Sequence, residues 1–276
     1  MTCKRLMVHL ELDGKNSGLL DVAAELADRF DVGVIGIAAC QPFQMLFDEG
    51  LTSGEVTLAD RAEIVREIAA AEAAFRQALK GRVKSLEWRS CISYAPLASC
   101  IADEARAVDL IVTSPDRGAS MLDNTRRVKI GDLALEAGRP VLIVPRGIST
   151  VALKNVFVAW KDSREARRAV SDALPLLKLA KNVTVLEAAG AADQGRAQAR
   201  VMDVARWLES HGVAADPVTT ARGGPEATEL HADLIERGCD FLVAGAYGHS
   251  RLGEFVFGGV TRDLLLDPEY CVLVSH

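Results

Sequence analysis

Residues 155–163 read NVFVAWKDS, and residues 5–13 read RLMVHLELD. Each stretch is an apolar run of strand length that ends in an acidic residue and leads into a helical pattern. Because self-similarity at a fixed distance indicates a repeated structural unit, the match makes duplication the first hypothesis for this chain.

Two further pairs of segments extend the match. Residues 109–114 (DLIVTS) correspond to residues 240–245 (DFLVAG), and residues 140–145 (PVLIVP) correspond to residues 270–275 (YCVLVS). The pairs occur in the same order in both halves of the chain. We therefore interpret the sequence as two copies of one structural unit.

The length of the chain agrees with this interpretation. At 276 residues it exceeds the usual size of one domain, and each half is long enough to bury its own core. We predict two tandem domains, residues 1–146 and residues 151–276, with the boundary in residues 147–150.

The apolar runs predict the class of fold. Runs of Val, Ile and Leu without polar alternation are typical of strands that are covered on both faces, and alternation of such strands with helices predicts parallel sheets. We expect α/β architecture, with two doubly wound open sheets of five mainly parallel strands each. The predicted strands lie near residues 5–10, 32–38, 86–90, 110–114, 141–145, 155–160, 182–187, 214–219, 240–245 and 271–275.

Composition and charge exclude several classes of protein. A formal net charge of -6 argues against a general nucleic-acid binder, and we expect the basic groups Arg126-Arg127-Lys129 and Arg164-Arg167-Arg168 to be solvated helix faces. No apolar stretch approaches the roughly 20 residues needed to cross a bilayer. The six cysteines form no C-x-x-C pair and suit a reducing compartment, so we expect a cytoplasmic protein without membrane or nucleic-acid partners.

The segment 244–263 carries the strongest chemical signal. Gly245 and Gly248 follow an apolar run, and Gly258 and Gly259 precede the next helical pattern. In an open parallel sheet, ligands bind at the carboxyl ends of strands, where a helix N-terminus offers free N–H groups to an anion. The spacing therefore favours a phosphate site, although glycines at such turns also serve tight turns or close helix packing.

At this point the chain resembles the universal stress protein family. Gly245, Gly248 and Gly258 match the pattern G-x2-G-x9-G of its nucleotide-binding members, and the repeated strands extend the resemblance over nearly the entire chain. The resemblance implies a tandem member with an adenine nucleotide alpha hydrolase-like fold. It also implies ATP, with or without Mg²⁺, as the ligand. Gly259 departs from the pattern, because it stands where the family carries Ser or Thr.

The resemblance also implies the positions of the site residues. It places Asp162 near the ribose and adenine, with Trp160 and Ala244 close to the base. Backbone groups would line the ribose and phosphates at five positions, Gly245, Gly248, Gly258, Gly259 and Val260. From the residues alone, Asp162 could equally be part of a helix N-cap region, and Trp160 could be a core residue.

The first half lacks the glycine pattern at the equivalent position. Pro115 removes a donor N–H, and Asp116 and Asp123 add negative charge where an anion would have to bind. We predict no ATP in the first half. Asp13, at the end of the first apolar run, is interpreted either as a remnant of the adenine-side loop or as an ordinary turn residue.

Three functional hypotheses follow. The first is a stress-response protein in which an adenine nucleotide, bound in the second half, acts as a switch. The second is a nucleotide-free scaffold or small-ligand binder that acts through a protein partner. The third is an enzyme, at most a weak ATP hydrolase or a nucleotidyl transferase. No Walker-type motif or strong metal-ligand spacing supports it, and no general base or other catalytic residue can be named.

The closing strands of the two halves predict how the halves associate. Residues 141–145 and 271–275 would be apolar edges of their sheets, which proteins seldom leave bare. We expect them to pair within the chain, and the resemblance leaves a homodimer open.

Overall fold

A computed structural model describes residues 3–12, 14–42, 53–115, 125–221, 233–246 and 268–276. Within these residues the two halves of the chain form one ten-stranded sheet. All ten predicted strands are present, with ends that differ from the prediction by at most two residues. Their bounds are β1 Arg5–His9, β2 Gly33–Cys40, β3 Leu86–Ile92, β4 Leu110–Thr113, β5 Val141–Ile143, β6 Asn155–Ala159, β7 Asn182–Ala189, β8 Asp216–Ala221, β9 Phe241–Gly245 and β10 Cys271–Ser275.

Helices connect most of these strands. Within the described residues they are α1 Ser17–Phe30, α2 Ser53–Leu79, α3 Leu97–Glu104, α4 Ile130–Glu136, α5 Arg164–Leu177 and α6 Gln194–Ser210. Pro175 lies in the last turn of α5, and the helix ends two residues later at Leu177. The proline therefore coincides with the end of the helix rather than with a break in its middle.

The sheet confirms the duplication. Its strand order is β3-β2-β1-β4-β5-β10-β9-β6-β7-β8, so each half has the same order when read from its outer edge toward the centre. All pairs within a half are parallel. The winding reverses between β1 and β4 in the first half and between β6 and β9 in the second, as the predicted doubly wound fold requires.

The two halves meet through one antiparallel strand pair. Leu142 of β5 lies opposite Leu273 of β10, and Ile143 lies opposite Val272. In the repeat, Val272 is the counterpart of Leu142 and Leu273 is the counterpart of Ile143. The two contacts are therefore exchanged by a local two-fold axis, which is the symmetry of a homodimer interface contained within one chain. The predicted edge strands pair with each other.

A second repeated detail fixes the start of the first strand of each half. The Asp109 carboxylate accepts hydrogen bonds from the backbone N–H groups of Lys4 and Arg5, at 2.7 and 3.0 Å. The Asp240 carboxylate accepts equivalent bonds from Lys154 and Asn155, at 3.2 and 3.1 Å. Asp109 immediately precedes β4, which pairs with β1, and Asp240 immediately precedes β9, which pairs with β6. The same side chain therefore aligns the same two strands in both halves.

Helices cover both faces of the sheet. Apolar side chains of α1, α2, α5 and α6 pack in one cluster against one face, which includes Leu6, Val8, Phe241 and Val243. Side chains of α3 and α4 pack against the opposite face with Met7, Ile111 and Leu242. Alternate residues of each strand therefore enter different halves of the core, which explains the continuous apolar runs in the sequence.

The segment between the halves is held against α1. Glu25 accepts a hydrogen bond from the backbone N–H of Val151 at 2.9 Å, and Arg29 donates one to the Val151 carbonyl at 3.1 Å. A Cβ at Gly18 would lie 2.4 Å from the carbonyl oxygen of Ile148. The predicted boundary region is thus packed on the first half instead of forming a free linker.

The expectation that Arg126 belongs to a solvated helix face is wrong. Its side chain is 16% exposed and contacts two carboxylates of α2, Asp60 at 3.0 Å and Glu67 at 2.9 Å. It also donates to the carbonyl of Gln41 at 3.0 Å. A half-buried guanidinium needs such partners because its charge has lost most of its water. Arg126 therefore connects α2, the end of β2 and the segment before α4.

The side chains of Arg164, Arg167 and Arg168 are exposed to solvent, as expected. Each forms an ion pair with an acidic residue on or beside α5. Among the helices within the described ranges, none combines the length and the hydropathy that a membrane crossing demands.

Candidate functional site

The predicted ligand site lies where β6 and β9 end. Ala159 is the register partner of Ala244, so Trp160 comes level with Gly245 one residue later. Gly245 is in turn the register partner of Ser275 in β10. The structure thus brings Trp160, Ala244 and Gly245 to one edge of the sheet, at the carboxyl ends of neighbouring parallel strands and beside the reversal of winding.

Gly245 packs directly against the first turn of α5. A Cβ at this position would lie 2.5 Å from the backbone nitrogen of Ala166 and 2.7 Å from the carbonyl carbon of Glu165. No side chain fits there, because neither of these backbone atoms can move without shifting the helix. The need for glycine at position 245 therefore has a packing cause in addition to any contact with a ligand.

The N-terminus of α5 is already capped by its own side chains. Ser163 Oγ accepts a hydrogen bond from the backbone N–H of Ala166 at 3.2 Å. The Glu165 carboxylate is buried at the same turn, with the residue 4% exposed. Burial alone would raise the pKa of Glu165, but hydrogen bonds from Arg164, its own backbone N–H and Ser163 outweigh burial and lower that pKa. An ionised carboxylate at this helix end interacts favourably with the helix dipole, and its negative charge repels a second anion.

Asp162 lies three residues after β6, on the surface. Its carboxylate forms an ion pair with Arg167, one and a half turns further along the chain on α5, and both side chains are more than half exposed. The N-cap of α5 is Ser163, so Asp162 does not cap the helix itself. An exposed pair of this kind is weak, which leaves the carboxylate open to exchange of partners.

Trp160 and Ala244 face opposite sides of the sheet. Trp160 packs against the apolar cluster under α5 and α6, whereas Ala159, which shares the face of Ala244, packs against the opposite cluster. The indole Nε1 of Trp160 is buried and has no hydrogen-bond partner among the residues described. Trp160 is therefore part of the core as well as part of the strand end.

A buried ion pair beside Trp160 was missed by the sequence analysis. Glu187 of β7, in the register position next to Trp160, is 7% exposed and binds Arg200 of α6 through both carboxylate oxygens, with contacts of 2.6 to 3.1 Å. Arg200 also binds Asp193 at 2.6 Å. Hydrogen bonds to Glu187 and then to Asp193 raise the pKa of Arg200. The sequence did contain a signal for this ion pair, because Glu187 is a lone carboxylate within an apolar strand.

The remaining predicted site residues lie outside the described part of the chain. They are Gly248, Gly258, Gly259 and Val260, which carry the predicted phosphate contacts. Asp13, Asp116 and Asp123 of the first half also lie outside it. Within the described residues, no group of three or more His, Cys, Asp or Glu side chains is arranged to hold a metal ion.

The first half differs at the position that corresponds to Ala159 and Ala244. There His9 Nδ1 lies 3.0 Å from Thr113 Oγ1. His9 is 2% exposed, and burial lowers its pKa from 6.5 to about 4. The pair is neutral at physiological pH, and it replaces two small apolar side chains by two polar ones that bind each other.

A cleft of about 460 Å³ opens in the first half between the β1–α1 connection and α2. This volume lies within the range of small-ligand pockets. Its wall combines small apolar side chains of α2, such as Ala71 and Ala74, with the carboxylates of Glu11 and Glu67. Those carboxylates bind Arg146 and Arg126.

Comparison with solved structures finds the same fold along nearly the entire chain. A universal stress protein from Archaeoglobus fulgidus DSM 4304 has a TM-score of 0.69 and 13% sequence identity, over 99% of this chain and 96% of that chain. A protein from Pseudomonas aeruginosa UCBPP-PA14, provisionally assigned to the universal stress proteins, has a TM-score of 0.63 and 16% identity, over 99% and 93% of the two chains.

A protein of unknown function from Pseudomonas aeruginosa PAO1 has a TM-score of 0.58 and 16% identity, over 99% of this chain and 92% of that chain. No protein-family model matches the sequence, and no curated protein matches it either. At these identities the likeness is one of fold. Both halves of the chain, joined through β5 and β10, thus have the fold of universal stress protein structures.

Proposed function

We propose that this chain is a tandem universal stress protein that binds ATP, or a related adenine nucleotide, in its second half. The observation that carries the proposal is the sequence G-x2-G-x9-G at positions 245, 248 and 258, which begins where β9 ends and the winding of the sheet reverses. This is the position at which doubly wound sheets bind nucleotides.

The proposal assigns the two ends of the nucleotide to different groups. Asp162 would contact the ribose by exchanging Arg167 for a hydroxyl group, and the strand ends at Trp160 and Ala244, rather than their side chains together, would lie near the base. The phosphates would be held by backbone N–H groups at Gly248, Gly258, Gly259 and Val260. Because Ser163 and Glu165 already occupy the first turn of α5, that turn would take no part in holding phosphate.

We further propose residues 1–146 and 151–276 as the two domains, with no nucleotide in the first. The loss of the glycine pattern in the first half, where Pro115, Asp116 and Asp123 stand instead, supports this asymmetry. All six cysteines are free thiols, which supports a reducing, cytoplasmic location. The nucleotide would act as a conformational switch in a stress response.

A nucleotide-free scaffold that acts through a protein partner is the second candidate. Two observations favour it. Gly259 provides no hydroxyl group for a phosphate, and Asp162 already has a partner in Arg167. Under this alternative, Gly245 is present only because α5 packs against it.

Calorimetric titration with ATP and Mg²⁺ distinguishes the two candidates. The proposal predicts saturable binding that is lost in Gly258→Val, because a side chain there blocks the approach of phosphate to the backbone. Ser114→Val, at the first-half counterpart of Gly245, is the matched control and should bind as the unaltered chain does. Absence of heat at millimolar ATP in a folded chain would support the scaffold.

A further inference from the structure

The two ends of the described sheet are unlike each other. Its outer strands are β3 and β8, and β3 spans seven residues, Leu86–Ile92, without a proline. β8 carries Pro217, which has no N–H to donate. Proteins often place proline on an edge strand to keep other strands from pairing with it. The outer edge of β3 lacks this protection, so it is the edge at which a further strand can be added.

The bonds between β2 and β3 show which backbone groups of β3 face outward. The Val34 N–H donates to the Ser85 carbonyl at 2.9 Å, and the Ser93 N–H donates to the Cys40 carbonyl at 3.2 Å. Because the backbone groups of successive strand residues point in alternate directions, every second residue between Ser85 and Ser93 points its N–H and C=O away from β2. Those residues are Leu86, Trp88, Ser90 and Ile92. In the described part of the chain, no other backbone group binds their outward N–H and C=O groups.

Two opposite charges lie two residues apart on one face of this edge. Glu87 and Arg89 lie on the face that α3 covers, as Cys91 does. Trp88 lies on the opposite face and packs against Phe75 of α2, with 5.5 Å between the ring centres. Arg89 contacts Glu87 at 2.7 Å, and the two side chains are 23% and 44% exposed. Both charges are therefore within reach of a strand that adds to β3.

One register of two antiparallel β3 strands satisfies both the backbone and the charges. In an antiparallel pair, residues with outward N–H and C=O groups have to lie opposite each other. With Trp88 opposite Trp88 of a second copy, this condition is met, and Glu87 of each chain lies opposite Arg89 of the other. Shifting the two-fold axis by one residue places Glu87 opposite Glu87, or Arg89 opposite Arg89. Like charges directly opposite each other are destabilising.

We propose that the outer edge of β3 is a docking surface for a second copy of this chain, which pairs antiparallel about a two-fold axis at Trp88. The backbone groups of the two edges satisfy each other, the pairs of Glu87 with Arg89 lie on the α3 face, and the two indole rings lie on the α2 face. The same charges disfavour the shifted registers, so the sequence specifies one arrangement of the dimer. The surface is independent of the proposed nucleotide site, which lies at β6 and β9 in the second half.

Sedimentation velocity of the full chain over a concentration series tests the surface. The unaltered chain should show a monomer–dimer equilibrium. Glu87→Arg and Arg89→Glu each place like charges opposite each other on both sides of the axis, so each should raise the dimer dissociation constant at least about tenfold. Asp216→Arg makes the same change of charge as Glu87→Arg at an exposed position of β8, and this control should dimerise as the unaltered chain does.

The two single variants should also complement each other. An equimolar mixture of Glu87→Arg and Arg89→Glu brings the positive charges of one chain opposite the negative charges of the other. A heterodimer should therefore form, although neither variant pairs with itself. The heterodimer distinguishes a lost contact from a lost fold, because only folded chains can form it.

Ser90→Pro tests the backbone contacts without a change of charge. It removes an outward N–H and leaves the hydrogen bonds between β2 and β3 in place, so the chain should stay folded by circular dichroism and lose the dimer. Ser90→Ala keeps the N–H and is the matched control, which should still dimerise.

Three results would overturn the proposal. The first is an unaltered chain that stays monomeric at every concentration. The second is a Glu87→Arg or Ser90→Pro variant that dimerises as tightly as the unaltered chain, since the contact between copies would then lie elsewhere. The third is a mixture of folded Glu87→Arg and Arg89→Glu chains that remains monomeric.

Discussion

Gly245 at the end of β9 lies against the backbone nitrogen of Ala166 in α5, with 2.5 Å between that nitrogen and the place of a Cβ. This contact gives the first glycine of the G-x2-G-x9-G pattern a structural role that does not depend on a ligand. Variants at position 245 will therefore change stability as well as binding, and tests of nucleotide binding belong at Gly248 or Gly258.

Gly245→Ala should destabilise the chain by about 2 kcal/mol, because the added methyl group would have to displace the first turn of α5. Urea denaturation followed by circular dichroism measures the effect. Gly195→Ala, in α6 with nothing within 4 Å of the added Cβ, is the control and should leave stability unchanged or slightly increased. Equal stability of Gly245→Ala and the unaltered chain would refute the packing role.

Asp109→Ala and Asp240→Ala should each destabilise the chain by about 2 kcal/mol, because each removes a charged acceptor of two backbone N–H groups at the start of a first strand. The two losses should be similar, since the contacts are repeated. Asp203→Ala, at an exposed ion pair of α6, is the control and should change stability by less than about 0.5 kcal/mol. A loss at only one of the two aspartates would contradict their equivalence.

His9 should make the chain sensitive to acid. The unfolded side chain takes up a proton near pH 6.5, but the folded one does so only near pH 4. Between these values the unfolded state binds more protons, so stability falls as pH falls through this window, by about 3 kcal/mol in full.

His9→Gln keeps a hydrogen-bonding side chain for Thr113 and cannot titrate. The difference in unfolding free energy between this variant and the unaltered chain should therefore shrink or reverse from about pH 7 to about pH 4. His211→Gln, at the exposed C-terminal cap of α6, is the control for histidine removal. A constant difference at all pH values would show that His9 is not protonated on unfolding.

Glu187→Leu should cost about 2 to 3 kcal/mol, because it leaves the Arg200 guanidinium beside the core with only Asp193 as a partner. The double variant Glu187→Leu/Arg200→Met should recover most of that loss, since neither charge is then unpaired. A double-mutant cycle on unfolding free energies measures the coupling. Additive losses would mean that the two side chains do not act as a pair.

The strands were predictable because each is an apolar run that is covered on both faces. A run such as residues 110–113 can be recognised as a strand from its own residues, without reference to the strands beside it. The pairing of β5 with β10 was also predictable, from the apolar edges. Contacts between distant residues were not. Arg126 looks like a surface residue until α2 brings Asp60 and Glu67 to it. The packing of Gly245 on α5 likewise depends on the position of a helix that precedes it by many residues.

The candidate site also has some features that the sequence predicts and others that it does not. The positions of Trp160 and Gly245 follow from the ends of their strands, which the sequence marks clearly. The capping of α5 by Ser163 and Glu165 depends on the local backbone conformation. The sequence shows only a common Ser–Arg–Glu start of a helix and does not predict this capping. The side chain of Glu165 nevertheless changes the electrostatics of the site, because it places a buried negative charge where a helix N-terminus alone would attract a phosphate.

The number of nucleotides bound per chain tests the central claim most directly. Native mass spectrometry of the full chain with ATP and Mg²⁺ should show one bound nucleotide, and none in the folded Gly248→Val variant. Two nucleotides per chain would contradict the proposed difference between the halves. None in the unaltered chain, or one that persists in Gly248→Val, would contradict the assignment of the glycine pattern as the phosphate site.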